Sequence, residues 1–189
     1  MAVEKGALVS HKNLAALIPA FALTLSAALA AEEKQAMPAD PAQQMPEQII
    51  AEAETVHPAA LYILATKLMA EGRMDDAVRW FYIGQLRYRF LLAAEPERLA
   101  ENQPLFSALS ESVGRPINEY AFGDVDAAVA HIDSALAWDA AHANGVTSKE
   151  RHAEELAQVR AGLQKLRDDM IANKDQIRET RTRNGLDNR

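Results

Sequence analysis

Residues 77 to 90, AVRWFYIGQLRYRF, hold five aromatic and three arginine side chains, in a chain with eleven aromatics in all. Arg79, Trp80, Tyr82 and Arg87 are the residue types that most often anchor protein interfaces, and guanidinium groups on such a face grip carboxylates through paired hydrogen bonds. Asn118, Glu119 and Tyr120 fall in RPINEYAFGD, which reads as an irregular segment ending at a turn, where polar and aromatic groups tend to carry function. The candidate partner-binding set is therefore Arg79, Trp80, Tyr82, Arg87, Glu119 and Tyr120.

Other chemistry is thinly represented. There is no G-x-S-x-G and no phosphate-binding glycine loop, and a chain with only 8 glycines has few with which to build one. His57, His131, His142 and His152 stand on separate elements without the spacing that sets two metal ligands on one helix face. The pairs Asp75-Asp76 and Asp168-Asp169 suit a helix start and a solvated face. No catalytic residue, metal site or cofactor is assigned.

The elements that position the candidates read as helices throughout. Ala, Leu, Glu, Gln and Arg dominate, and no alternating β-branched run reads as a strand. Leu61, Leu64, Ala65 and Leu68 recur at three- and four-residue steps between Pro58 and a glycine stop at Gly72. Asp75 and Asp76 open the next helix, which runs to about Ala94. At 100° per residue that helix is apolar on two sides, so it is expected to lie between neighbours with Tyr82, Gln85 and Arg89 on an open edge. Phe81, Tyr88 and Phe90 read as core. PLFSALSESVG reads as a short helix. Near the C-terminus, Thr147 and Glu150 form a capping box. Leu156, Val159, Leu163, Leu166, Met170, Asn173 and Ile177 then make a heptad seam that predicts one long amphipathic helix over 147–184, folded on the domain or paired with a second copy.

The N-terminal residues point to export. Lys5 and Lys12 precede the uncharged NLAALIPAFALTLSAALA, and Ala28 and Ala30 are placed as in an A-x-A cleavage site, so residues 1–31 read as a signal peptide, with an uncleaved anchor as the alternative. Residues 32–46, with three prolines, read as a flexible linker to a helical domain over 47–146. The net charge of −7 becomes −8 without residues 1–31, which is a poor match for nucleic acid and favours a basic partner. With no cysteine, disulfides cannot stabilise an exported form, so packing must, and a bacterial periplasm is the expected setting.

Residues 61 to 84 resemble a tetratricopeptide repeat. Leu61, Leu64, Ala65 and Leu68 stand on the first helix, EGRMDDA forms the turn, and Ala77, Phe81 and Gly84 stand on the second. GDVDAAVAHIDSALAWD is similar to the second half of another repeat, with Ala128, Ile132 and Ala135 as packing residues. The resemblance covers one full repeat and one half repeat, and Ala77 and Ala128 stand farther apart than that family's period. It implies an all-α architecture of stacked antiparallel helical hairpins that binds proteins or peptides. An inhibitor of a secreted effector and an envelope hydrolase using the Glu119 segment remain alternative readings.

Overall fold

The computed structural model describes residues 40–189. The expected signal peptide and the first part of the linker lie outside the described residues. The described chain is all-α with no strand: α1 (Pro46–Ala51), α2 (Ala59–Ala70), α3 (Met74–Ala94), α4 (Leu99–Ser112), α5 (Gly114–Ala121), α6 (Val125–Ala141), α7 (Ala153–Ala172) and α8 (Lys174–Arg183), with a 3₁₀ turn at Pro96–Arg98. None of these helices is long and apolar enough to cross a membrane.

α3 is the hub. α2 packs along one side of it, α6 and α7 along another, and α4 and α5 close a third. The α2–α3 turn forms because α2 ends on Gly72 at φ 78, where the Gly72 and Arg73 N–H groups donate back to the Met69 and Leu68 carbonyls. The helices then approach closely at Gly84, where a Cβ would lie 3.1 Å from Leu61 Cβ and 3.3 Å from the Tyr62 ring. Phe81 is 1 % exposed and meets Tyr62 edge to face at 5.5 Å; burying a side chain of that size contributes about 1.5–3 kcal/mol. Phe81, Tyr88 and Phe90 are core, as their helical positions predict.

α6 starts at Asp124, whose carboxylate accepts from the Ala127 N–H at 3.1 Å, and buries Ala128, Ile132 and Ala135. Its main neighbours are α3 and α7, with only a light contact to α5.

Several sequence expectations need correction. The segment with Glu119 and Tyr120 is the helix α5, with Pro116 tolerated in its first turn where few intrahelical donors are needed. α4 starts well before Pro104 and includes it. The single helix expected over 147–184 is two helices preceded by a fixed loop. Thr147 is not an N-cap: it is 2 % exposed in a turn in which Asn144 Oδ1 accepts from the Val146 and Thr147 N–H groups. Ser148 instead accepts from the Arg151 N–H at 3.2 Å, and α7 begins five residues later. Asn173 does not continue the seam; its side chain donates to the Asp169 carbonyl at 2.7 Å, competing with the helix ladder at the α7–α8 junction. The expected flexible linker over 32–46 does not extend through its last residues. Gln44 is buried and donates to Glu52, and the Ala42 carbonyl accepts from Lys67 at 2.8 Å, so residues 42–45 are docked on the domain.

Candidate binding groove

α4 and α7 both lean on α3 without substantial contact with each other. The space between them is a half-open groove of about 820 Å³, floored by Tyr82, Gln85, Leu86 and Arg89 of α3. Gln103 and Phe106 of α4 and Asn118 of α5 form one wall, with Phe122 just beyond α5; Gln158, Val159, Gly162, Leu163 and Leu166 of α7 form the other. This volume lies within the range of ligand-binding clefts, and its lining is apolar with a few polar groups, which is how such clefts are built. The heptad seam explains the open side: Met170 is buried and Leu156, Val159 and Leu163 pack partly on the core, while Leu166 stays 37 % exposed. A Cβ on Gly162 would meet nothing within 4 Å, although glycine inside a helix costs about 1 kcal/mol relative to alanine.

The polar groups of the groove bond to one another within and between helices. The Tyr82 hydroxyl donates to Asn118 Oδ1 at 3.2 Å, and burial pushes its phenol well above the usual range, so it stays a neutral donor. Arg89 Nε donates to Gln85 Oε1 at 3.0 Å, and the guanidinium lies 5.3 Å from the Phe106 ring centre. Arg89 is exposed, and it makes no ion pair among the described residues. The groove lining contains no carboxylate. A second hollow of about 490 Å³ continues from it past Asn118 and Phe122, between α5 and α8, lined by Arg115, Glu119 and Arg181 among others.

Most of the side chains singled out in the sequence lie elsewhere. Arg87 is 1 % exposed and acts as an internal brace. Its guanidinium donates to the Ala53 carbonyl at 2.7 Å and the Ala143 carbonyl at 2.5 Å, and it lies 4.6 Å from the Trp138 ring centre. Beneath it, Asp139 is fully buried, accepts from Arg160 at 2.8 Å, and faces Lys149 at 3.4 Å and Arg87 Nε at 3.9 Å. Burial lowers the Arg87 pKa and Asp139 opposes the shift; a guanidinium remains charged. This knot fastens α3, α6, α7 and the loops after α1 and α6. Trp80 is 5 % exposed, seated against Trp138 at 5.3 Å. Arg79 is half-buried at 5.7 Å from the Trp80 ring, its Nε enclosed without a hydrogen-bond partner. The reading of Trp80, Tyr82 and Arg87 as a surface is thus corrected, because α3 has neighbours on every side except the strip at Gln85 and Arg89.

Tyr82 is the one member of that set that reaches α5, through Asn118. Glu119 is exposed over the second hollow. Tyr120 is half-buried, donates to Asp75 at 3.1 Å and carries the Arg189 guanidinium 3.6 Å from its ring centre, so Arg189 covers it. The groove residues that sequence reasoning left out of the site include Gln85, Arg89, Gln103, Phe106, Gln158 and Gly162. The available signal was Gly162, an interior glycine within the seam of the most regular helix.

Among the described residues no group of three or more His, Asp or Glu is placed to hold a metal ion. His131 meets Asp75 alone at 3.4 Å, and His142 stacks on Trp138 at 4.2 Å with Nδ1 2.7 Å from the Trp138 carbonyl.

No family model matches the chain, and no solved structure matches it. An uncharacterized protein of Haemophilus influenzae is 30 % identical to it over 90 residues, covering 46 % of this chain and 34 % of that protein. The chain therefore spans about a third of the length of the relative it matches.

Proposed function

We propose that the chain is an exported helical scaffold that binds another protein or a peptide of the bacterial envelope, and that the groove between α3, α4, α5 and α7 is its binding face. The observation that carries this reading is the groove itself: an apolar cleft of about 820 Å³ kept open by Gly162 and ringed by polar groups on rigid helices. Export rests on the charge and apolar pattern of residues 1–31. The tetratricopeptide-like architecture rests on the α2–α3 hairpin, whose Leu61, Leu64, Ala65, Leu68, Ala77, Phe81 and Gly84 all face inward. Binding is favoured over hydrolysis because Glu119 is the one carboxylate lining either hollow, whereas paired-carboxylate hydrolysis takes two.

The test is capture from envelope extract by the tagged wild type, by Gly162→Trp, which fills the groove, and by Lys165→Trp, a matched change at an exposed position of α7 outside the lining. A stoichiometric partner lost in the first variant and kept in the second supports the reading. Equal capture by all three proteins places the binding face elsewhere.

A further inference from the structure

We infer that the occupant of the groove is an extended peptide segment that alternates apolar and polar residues and sets one acidic side chain against Arg89. This rests on the reading of the groove as the binding face and specifies what enters it. Three independent features point the same way.

The first is charge. In a chain of net charge −7, this groove is lined by one cation and no carboxylate, and Arg89 is exposed with no ion pair among the described residues. Its Nε is held by Gln85 and its guanidinium carbon lies 5.3 Å from the Phe106 ring centre, which leaves the terminal guanidinium nitrogens to meet a carboxylate.

The second is the type of neutral polar group. Each of the four helices supplies one carboxamide: Gln85 from α3, which is spent on Arg89 and Ser110, and Gln103 from α4, Asn118 from α5 and Gln158 from α7, of which the Gln103 oxygen, the Asn118 nitrogen and both ends of Gln158 have no hydrogen-bond partner among the described residues. A carboxamide both donates and accepts, as an extended backbone requires at every residue it passes. An acyl chain offers these groups nothing, and covering them would remove their water without replacement. A bound helix has already satisfied its own backbone and could reach them only through side chains.

The third is Gly162. The absence of a side chain there, with open space where a Cβ would stand, allows a backbone to approach α7 more closely than any other residue would permit. Close backbone approach benefits a strand, whose main chain is its binding surface.

The experiment uses the full chain, fluorescently labelled, on an array of random dodecapeptides, alongside Arg89→Gln and Gly162→Trp, with dansylated undecanoate as an acyl probe in solution. The expected result is a set of binders with alternating apolar positions and one Asp or Glu. Arg89→Gln should weaken these by about tenfold and erase the acidic preference, and Gly162→Trp should abolish them. Binders whose apolar residues follow helical spacing, or whose affinity Arg89→Gln leaves unchanged, would overturn the extended acidic peptide while keeping the groove. So would an array without binders, whether or not the acyl probe binds wild type and not Gly162→Trp. Peptide binding undiminished in Gly162→Trp would overturn the groove itself.

Discussion

Arg87 and Arg89 stand two residues apart on α3, so they leave the helix on nearly opposite sides. Arg87 enters the interior, where two backbone carbonyls, the Trp138 ring and the buried Asp139 surround it. Arg89 stands at the open groove, with one glutamine and one phenylalanine beside it and no acid partner among the described residues. The same side chain serves architecture in one place and stands exposed without an acid partner among the described residues in the other. The difference lies in what the rest of the chain brings: the Arg87 side receives α6, α7 and two loops, whereas the Arg89 side falls in the gap between α4 and α7.

The contrast can be broken first at the knot. Asp139→Ala leaves Arg87, Lys149 and Arg160 without their shared carboxylate, and it should cost about 4 kcal/mol in urea unfolding, because removing one partner strands buried charge. Arg87→Met keeps the volume but orphans the Ala53 and Ala143 carbonyls, and should cost about 3 kcal/mol. If either variant unfolds within about 0.5 kcal/mol of wild type, the knot is not a brace. On the groove side the sign reverses. Gly162→Ala should raise stability by about 0.5–1 kcal/mol, since the new methyl meets nothing and the helix gains propensity; a loss would mean that α7 packs more tightly than it stands here.

A smaller effect comes from outside both regions. His57 is exposed, and partial desolvation on the side packed against Tyr88, followed by the charge of Arg98, holds its imidazole below its ordinary pKa. A lowered folded pKa means that the unfolded chain takes up the proton first. The stability His57 contributes is therefore intact above about pH 6.5 and lost as pH falls through the folded value. His57→Gln should flatten the fall in melting temperature between pH 7.5 and 5; an unchanged slope would remove His57 from the account.

The all-α class, the Gly72 turn, the reach of α3 and the core placement of Phe81, Tyr88 and Phe90 were legible in the sequence because each follows from local spacing or composition, or from the backbone freedom of glycine. The assignment of the two arginines was not. The knot assembles Ala53, Arg87, Asp139, Ala143, Lys149 and Arg160 from distant parts of the chain, and helical periodicity carries no information about which loops return to a given face. Thr147 and Asn173 misled for a related reason. Both match a local pattern, a capping box and a heptad position, yet the Asn144 turn claims the first segment and a side-chain bond to Asp169 marks the end of α7 at the second. The groove was half legible. Gln85 and Arg89 fell on the predicted open edge, while Tyr82 turned inward to Asn118, and the opposite wall required knowing that α7 folds back beside α3.

The two arginines also give the most direct test of the account. Arg87→Met and Arg89→Gln are compared with wild type for urea stability and for capture of the envelope partner at a temperature where all three are folded. The account predicts that the first loses about 3 kcal/mol and retains its partner, while the second stays within about 0.5 kcal/mol and binds it about tenfold more weakly. Loss of the partner by a folded Arg87→Met, with capture unchanged in Arg89→Gln, would contradict it and return the binding face to the other side of α3.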